Sequence, residues 1–159
     1  RGFVRRVLRV NGLALEHAAE ELKTDPEMSL LALEQDSLAL HHIPGSLWGN
    51  ADFALRAVQL TQDAIRYAAE NLRSSSAFII EALKHTNRAL RAASPWLWKD
   101  KDFVLEAMRV ESAATRFVPK ELWADREVAF EMLQQGDPSP AWLEKSALGA
   151  PDFGSPNVP

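Results

Sequence analysis

The sequence from Lys101 to Asp125 reads KDFVLEAMRVESAATRFVPKELWAD, and it is the clearest copy of a pattern that recurs every 25 residues along the chain. One column of this pattern is mainly aromatic and contains Phe3, Met28, Phe53, Phe78, Phe103, Val128 and Phe153. Two other columns hold leucine and alanine: Leu22, Leu47, Leu72, Leu97 and Leu122, and Ala14, Ala39, Ala64, Ala89 and Ala114. A fixed period of this length is typical of repeat architectures.

Each copy begins with signals for a helix N-terminus. The preceding residue, such as Asp100, can accept hydrogen bonds from the first-turn amides. Pro26 stands at the first helical position of the second copy, where a missing amide hydrogen costs nothing. An acidic residue such as Asp102 follows, beside the positive end of the helix dipole. Apolar residues at helical spacing then predict a first helix of roughly ten residues.

A short polar break, such as Glu111-Ser112, separates this helix from a second, shorter one that carries the alanine and leucine columns. Each unit is therefore predicted to be a compact αα-hairpin. Neither helix is long enough to be stable alone in water, so neighbouring copies must stabilise each other by stacking. The sequence predicts an all-α fold, an α-solenoid of about six αα-hairpin repeats.

The predicted array forms one domain over residues 1–148, in which copies 1 to 6 start near residues 1, 26, 51, 76, 101 and 126. Copy 6 breaks at Gly136-Asp137-Pro138-Ser139-Pro140, because proline cannot continue a helix. A differently capped helix is expected at 141–148, and residues 149–159 are expected to form a tail rich in proline and glycine. The basic start has the composition of a transit peptide. However, Phe3 and Leu8 fit the repeat columns, so we interpret it as copy 1.

Composition excludes several classes of function. The chain has 159 residues, a net charge of −4 and no cysteine. The charge argues against nucleic-acid binding, and the lack of cysteine excludes disulfides and thiolate metal sites. No apolar run approaches the roughly 18 residues of a membrane span. No phosphate-binding glycine loop, Gly-x-Ser-x-Gly elbow or His-Glu-x-x-His helix occurs. We therefore expect a soluble protein of an intracellular or organellar compartment, with no catalytic activity, cofactor or metal.

The repeat pattern resembles a known family. The resemblance is carried by Asp102-Phe103-Val104-Leu105-Glu106-Ala107 and by the run from Asn11 to Leu22, NGLALEHAAEEL. Both are similar to the domain of unknown function 4116 (DUF4116), an array family of bacteria, protists and algae. The resemblance covers roughly residues 1–148. It implies a scaffolding or interaction role by analogy, and no catalytic residue is carried over.

A column of mixed aromatic residues and histidines invites a metal-site interpretation. His17 and His42 share this column, so they could face each other across adjacent copies. The same column also holds Tyr67, Ala92 and Phe117, which favours a half-buried packing position. We therefore assign no metal ligands.

Arg66, Arg91 and Arg116 line up in consecutive copies, with Arg88 nearby. On stacked repeats such a column becomes a ladder down one face, suited to an acidic partner or a phosphate. The alternative is a solvated face, on which Arg66 pairs with Glu70 one turn further along. Lys120 and Pro95 leave Arg116 and Arg91 without such a partner.

Tryptophan provides the second candidate contact surface. Trp48, Trp98 and Trp123 occupy one column at the end of the second helix, with Trp96 beside it. Tryptophan is over-represented at binding hot spots. Lys and Arg hold this column in other copies, which indicates partial exposure. The alternative, that the rings cover the end of each hairpin core, stays open at this point.

These patterns predict a non-catalytic protein–protein interaction scaffold that binds a macromolecular partner along an extended face. The predicted contact residues are Trp48, Trp96, Trp98, Trp123, Arg66, Arg91 and Arg116. The alternative is a permanent peripheral structural subunit of a large complex, organellar or photosynthetic, in which the rings could also touch lipid or pigment.

Overall fold

A computed structural model describes residues 2–136. Residues 137–140 of the break within copy 6, the helix expected at 141–148 and the tail expected at 149–159 lie outside these described residues, as do Arg1 and Phe153. Every regular element from residue 2 to residue 136 is helical, and strands are absent from this part of the chain.

The longer α-helices follow one another at the predicted spacing, and we call them the first helices. They span Gly2–Leu8, Pro26–Gln35, Ala51–Leu60, Ser76–Leu83, Lys101–Val110 and Arg126–Gln134. The predicted N-caps are confirmed. The Asp100 carboxylate accepts a hydrogen bond from the Asp102 amide. In the same way, the Asn50 side chain accepts from the Phe53 amide, and the Ser75 hydroxyl accepts from the Phe78 amide. The capping signals in the sequence thus place the helix starts correctly.

The second half of each copy differs from the predicted hairpin. A 3₁₀-helix follows the first helix in most copies, at Gly12–His17, Ser37–His42, Gln62–Tyr67 and Ser112–Phe117, and copy 4 has a short α-helix at Ala89–Ala92. A further short helical turn then completes copies 1 to 5, at Glu20–Lys23, Gly45–Gly49, Glu70–Arg73, Leu97–Lys99 and Lys120–Leu122. The predicted single second helix is therefore wrong, because the chain divides it into two pieces.

The break between these pieces falls at one column of the repeat. Ala19, Pro44, Ala69 and Pro119 stand there, each with φ near −65° and ψ near 150°. This is the extended polyproline region, which proline favours and which a helix cannot include. Pro44 and Pro119 were the signal in the sequence that could have located the break.

Consecutive first helices pack against each other along the chain, from Gly2–Leu8 on Pro26–Gln35 to Lys101–Val110 on Arg126–Gln134. The small residues on these helices are fully buried: Ala32, Ala57, Ala82 and Ala107. The aromatic column is also buried from Met28 to Val128, whereas Phe3, at the start of the described residues, is 72% exposed. The rings of Phe53 and Phe103 lie against Trp48 and Trp98, so in these two copies the column residue is covered by the preceding copy.

Candidate interaction groove

The tryptophan column packs between copies. Trp48 and Trp98 are only 3% and 9% exposed. The Trp98 ring stacks on Phe117, with 5.2 Å between ring centroids, and meets Phe103 edge-on at the same distance. Both phenylalanines belong to the next copy. Trp98 therefore joins copy 4 to copy 5.

Trp48 joins copies 2 and 3 in the same way. Its ring lies edge-on to Phe53 at 5.2 Å and against Tyr67 at 5.4 Å. The indole Nε1 of Trp48 is buried and has no hydrogen-bond partner within the described residues. The interpretation of Trp48 and Trp98 as exposed contact residues is therefore corrected: flat rings fill the seam between copies, so they are not accessible to a partner.

The other two predicted tryptophans have different surroundings. Trp123 is half-buried, packs against the core, and donates from Nε1 to the Val118 carbonyl at 3.2 Å. Trp96 is 57% exposed, with the Lys99 ammonium 5.8 Å from its ring centroid. Of the four predicted tryptophans, Trp96 alone is exposed in the described structure.

The arginine column, in contrast, forms one concave surface. Arg66, Arg91 and Arg116 are all exposed, and all three line a single groove of about 990 Å³. They lie at matching positions in the helical segments after three consecutive first helices. The predicted ladder thus follows the groove across copies 3, 4 and 5, and we call this cavity the arginine groove.

Two further arginines line the arginine groove. Arg88 pairs with Asp63, which also lines it. Arg73 pairs with Glu70, with 2.5 Å between the guanidinium and the carboxylate. The expected pairing of Glu70 with Arg66 is therefore wrong, because the chain turn at Glu70–Arg73 brings Arg73 closer. Arg73 was missed as a groove residue, since tryptophan occupies its repeat column in copies 2, 4 and 5.

A polar network centred on the Glu70 carboxylate holds Arg73 in place. The Glu70 carboxylate accepts hydrogen bonds from the Ser94 hydroxyl at 2.6 Å, from Arg73 and from the Ser74 hydroxyl at 3.2 Å. These hydrogen bonds lower the pKa of the Glu70 carboxyl below its ordinary value, and the bond from Ser94 contributes most, followed by the bond from Arg73. Ser94 is buried at 4% exposure, so this network anchors the Arg73 head group at the groove wall.

The groove retains an excess of positive charge. Five arginines line it, and two of them are paired with carboxylates, Arg88 with Asp63 and Arg73 with Glu70. Among the described residues, Arg66, Arg91 and Arg116 form no ion pair. A concave site lined by one sign of charge concentrates the electrostatic field. The arginine groove is thus a positive cavity in a chain whose net charge is −4.

Histidines do not form a metal site in the part of the chain that the structure describes. His42 Nε2 lies 4.0 Å from Glu16, and His41 Nδ1 lies 3.0 Å from the Tyr67 hydroxyl. No group of three potential ligands is close enough to hold an ion anywhere in residues 2–136.

None of the helices between residues 2 and 136 has both the length and the hydrophobicity of a membrane-spanning segment.

Comparison with protein families gives a match over most of the chain. A family model described as a domain of unknown function matches residues 1–48, 25–73 and 76–123. The chain belongs to the DUF4116 family. Each DUF4116 match spans about two of the 25-residue copies. No curated protein and no solved structure matches the chain significantly.

The DUF4116 matches place the groove within the family's repeats. Arg66 and Arg73 lie in the second matched segment, whereas Arg88, Arg91 and Arg116 lie in the third. The lining of the groove is therefore contributed by two consecutive DUF4116 segments. A single matched segment does not contain it.

Proposed function

We propose that this DUF4116 chain is a non-catalytic interaction module that binds an acidic segment of a protein partner in the arginine groove. The observation that carries the proposal is the convergence of Arg66, Arg91 and Arg116 on one cavity without carboxylate partners among the described residues. Arginines held in one groove with no structural counter-ion are poised to bind an external anion.

The proposed scaffold is an α-solenoid of about six 25-residue repeats over residues 1–148. In its support, first helices start at residues 2, 26, 51, 76, 101 and 126, and each packs on the next. Residues at matching positions of such an array fall in a row along one face. The arginine row is therefore suited to an extended ligand that runs across several copies.

The groove's chemistry favours binding over catalysis. Its described lining contains arginine, Asn87 and apolar residues, and its one carboxylate, Asp63, is paired with Arg88. Serine, cysteine and histidine, which act as nucleophiles or general bases, do not line this described cavity. Positive charge without such groups supports recognition by charge and hydrogen bonding.

The test measures binding of a fluorescein-labelled peptide of twelve glutamates by fluorescence anisotropy. We expect saturable binding that weakens with added salt, because the contacts are ionic. The variant Arg91→Gln/Arg116→Gln should bind at least about tenfold more weakly than wild type. The matched control, Arg5→Gln/Arg56→Gln, removes the same charge outside the groove and should bind like wild type.

If both double variants lost the same amount of peptide affinity, the effect would come from net charge alone, and the groove would be rejected as the binding site.

The alternative function, a permanent structural subunit, has a separate test. It expects a fixed set of subunits to co-purify with the chain in equal amounts from its native source and to survive a high-salt wash. The proposed ionic contacts would instead dissociate in that wash.

A further inference from the structure

We propose that the arginine groove selects a doubly phosphorylated, extended protein segment, with the two phosphoryl groups about three residues apart. This inference rests on the function proposed above and specifies its ligand. It follows from three properties of the groove: the identity of its cations, the number that lack a partner, and their spacing.

All the positive side chains that line the groove are arginines. Lysine occurs elsewhere on the chain, for example at Lys84, Lys99 and Lys120, yet none lines this cavity. Lysine presents a compact point charge, whereas the guanidinium presents a planar fork of donors that matches two oxygens of a phosphate or carboxylate. The groove is therefore built to bind oxyanions and not merely to attract negative charge.

The two ion pairs at the groove show what a carboxylate does there. Asp63 engages one arginine, Arg88, and Glu70 engages one arginine, Arg73. Three arginines remain, carrying about three positive charges in one cavity. A phosphoryl group carries about −1.5 to −2 charges at neutral pH and has three strong acceptor oxygens. Two such groups balance the remaining charge, and each can accept hydrogen bonds from two neighbouring guanidiniums.

The spacing of the phosphoryl groups follows from the packing of the copies. Arg66, Arg91 and Arg116 belong to consecutive copies, whose first helices pack side by side. Packed helix axes lie about 8–10 Å apart. A peptide in the extended polyproline II conformation rises about 3.1 Å per residue with three residues per turn, so groups three residues apart lie on the same face. Groups three residues apart on the ligand therefore match the step from one unpaired arginine to the next.

Protein is favoured over nucleic acid as the carrier of these phosphates. Nucleic-acid binding needs a broad basic surface, whereas this chain has a net charge of −4 and concentrates positive charge in one groove. Single strands also stack their bases on exposed rings. The aromatic residue that lines the groove, Phe117, is half-buried and stacks on Trp98.

The experiment compares labelled peptides on the whole chain by anisotropy. The first probe is a Gly/Ala peptide with two phosphoserines three residues apart. The second carries four glutamates, which match its charge, and the third carries two unmodified serines. We expect the phosphorylated probe to bind at least about tenfold more tightly than the charge-matched probe, and the serine probe not to bind. Inorganic phosphate should compete only at far higher concentration, because it contacts a single position.

The variant Arg91→Lys tests the role of the guanidinium fork. It keeps the charge and should weaken binding of the phosphorylated probe more than binding of the glutamate probe, so that the preference for phosphate falls. The control Arg56→Lys, outside the groove, should keep that preference. Thermal melts followed by circular dichroism confirm that both variants fold.

The outcomes separate the inference from the proposed function. Equal affinities for the phosphorylated and charge-matched probes would overturn the phosphate inference and leave the acidic-segment function standing. Failure of both probes to bind would overturn both proposals. Tighter binding of a twelve-nucleotide oligouridine than of the phosphorylated peptide would also overturn the inference and assign the groove to nucleic acid.

Discussion

The backbone amide of Ala69 donates a 2.9 Å hydrogen bond to the carbonyl of Trp48 in the preceding copy. Ser94 repeats this contact one copy later, with the carbonyl of Arg73 as the acceptor, also at 2.9 Å. Proline occupies the same position in copies 2 and 5 and has no amide hydrogen to donate. Lys23 stands one copy before Trp48 in the same column, so its carbonyl would face Pro44. It accepts a hydrogen bond from the Ser29 hydroxyl at 2.8 Å instead. Copies are therefore joined by a backbone bond that only some of them can make.

Ala69→Pro tests the strength of this bond. The φ of Ala69, −65°, suits proline, so the substitution should cause little backbone strain. It removes the donor to Trp48 and leaves a carbonyl unpaired, a loss of about 1–3 kcal/mol that the stiffer unfolded chain only partly offsets. We expect the free energy of unfolding, measured in urea, to fall by about 1 kcal/mol.

Ala19→Pro is the matched control. Ala19 has φ −62° at the same repeat position, and its amide makes no hydrogen bond within the described residues. Here only the unfolded-state effect remains, so stability should rise by about 0.5 kcal/mol. Equal destabilisation by the two prolines would show that the inter-copy bond contributes nothing.

Trp98→Ala should behave as a core truncation. The ring is buried between Phe103 and Phe117, and large aromatic truncations in cores cost about 3–5 kcal/mol. Trp96→Ala, at an exposed ring two residues away, should cost no more than about 1 kcal/mol. Thermal denaturation of the two variants gives the comparison. Similar melting temperatures would contradict the packing role that the structure gives to Trp98.

The Glu70 network predicts a pH dependence of stability. The pKa of Glu70 is lowered in the folded chain, chiefly by the Ser94 hydroxyl and then by Arg73. A lowered folded pKa stabilises the protein above the unfolded value, about 4.3, and this contribution is lost as the pH falls through the folded value. Glu70→Gln should therefore lose less stability than wild type between about pH 5 and pH 3.

Ser94→Ala removes the strongest of these hydrogen bonds and should also flatten the acid limb of the stability curve. Glu34→Gln, on an exposed helix face, serves as the control and should follow wild type. Urea midpoints at several pH values measure the effect. If the urea midpoints of Glu70→Gln and wild type changed with pH in parallel, Glu70 would have the same pKa in the folded and unfolded chains.

Gly12 is predicted to tolerate no side chain. A Cβ atom at this buried position would clash with the Ala32 carbonyl oxygen and lie 3.0 Å from the Asp36 amide nitrogen. Both are backbone atoms, so the neighbouring helix end must shift. Gly12→Ala should cost about 1–3 kcal/mol in urea denaturation. Gly49→Ala adds a Cβ with no atom within 4 Å and should change stability by less than about 0.5 kcal/mol; an equal loss there would contradict the steric explanation.

The 25-residue period made part of this structure predictable. Caps such as Asp100 and Asn50 locate helix starts from short-range chemistry, and identical spacing places Arg66, Arg91 and Arg116 in a row. Both inferences need only local rules and the repetition of one unit. The family resemblance was confirmed because it depends on the same columns.

Burial of the tryptophans and the role of Arg73 were not predictable in this way. Both depend on how one copy sits on the next, which a column of residue types does not specify. Trp98 faces Phe117 of the following copy, whereas Arg73 in the same column turns to Glu70 and the groove. The same repeat position thus holds a ring that packs between copies in copy 4 and a charged side chain that lines the groove in copy 3.

The unpaired arginines should reduce the stability of the free protein. Arg91 shares the groove with other guanidiniums and has no ion pair in residues 2–136, so like-charge repulsion acts on it. Arg91→Gln should raise the free energy of unfolding at low salt, by no more than about 1 kcal/mol, and the gain should disappear at high salt because the repulsion is screened. Arg88→Gln removes a paired arginine from the same groove and should give no such gain.

Urea denaturation at low and high salt, together with peptide binding, measures the stability and the affinity of both variants. A variant that gains stability while it loses ligand binding would identify Arg91 as a residue maintained for recognition and not for folding. A loss of stability in Arg91→Gln at low salt would instead show that the arginine column stabilises the stacked copies.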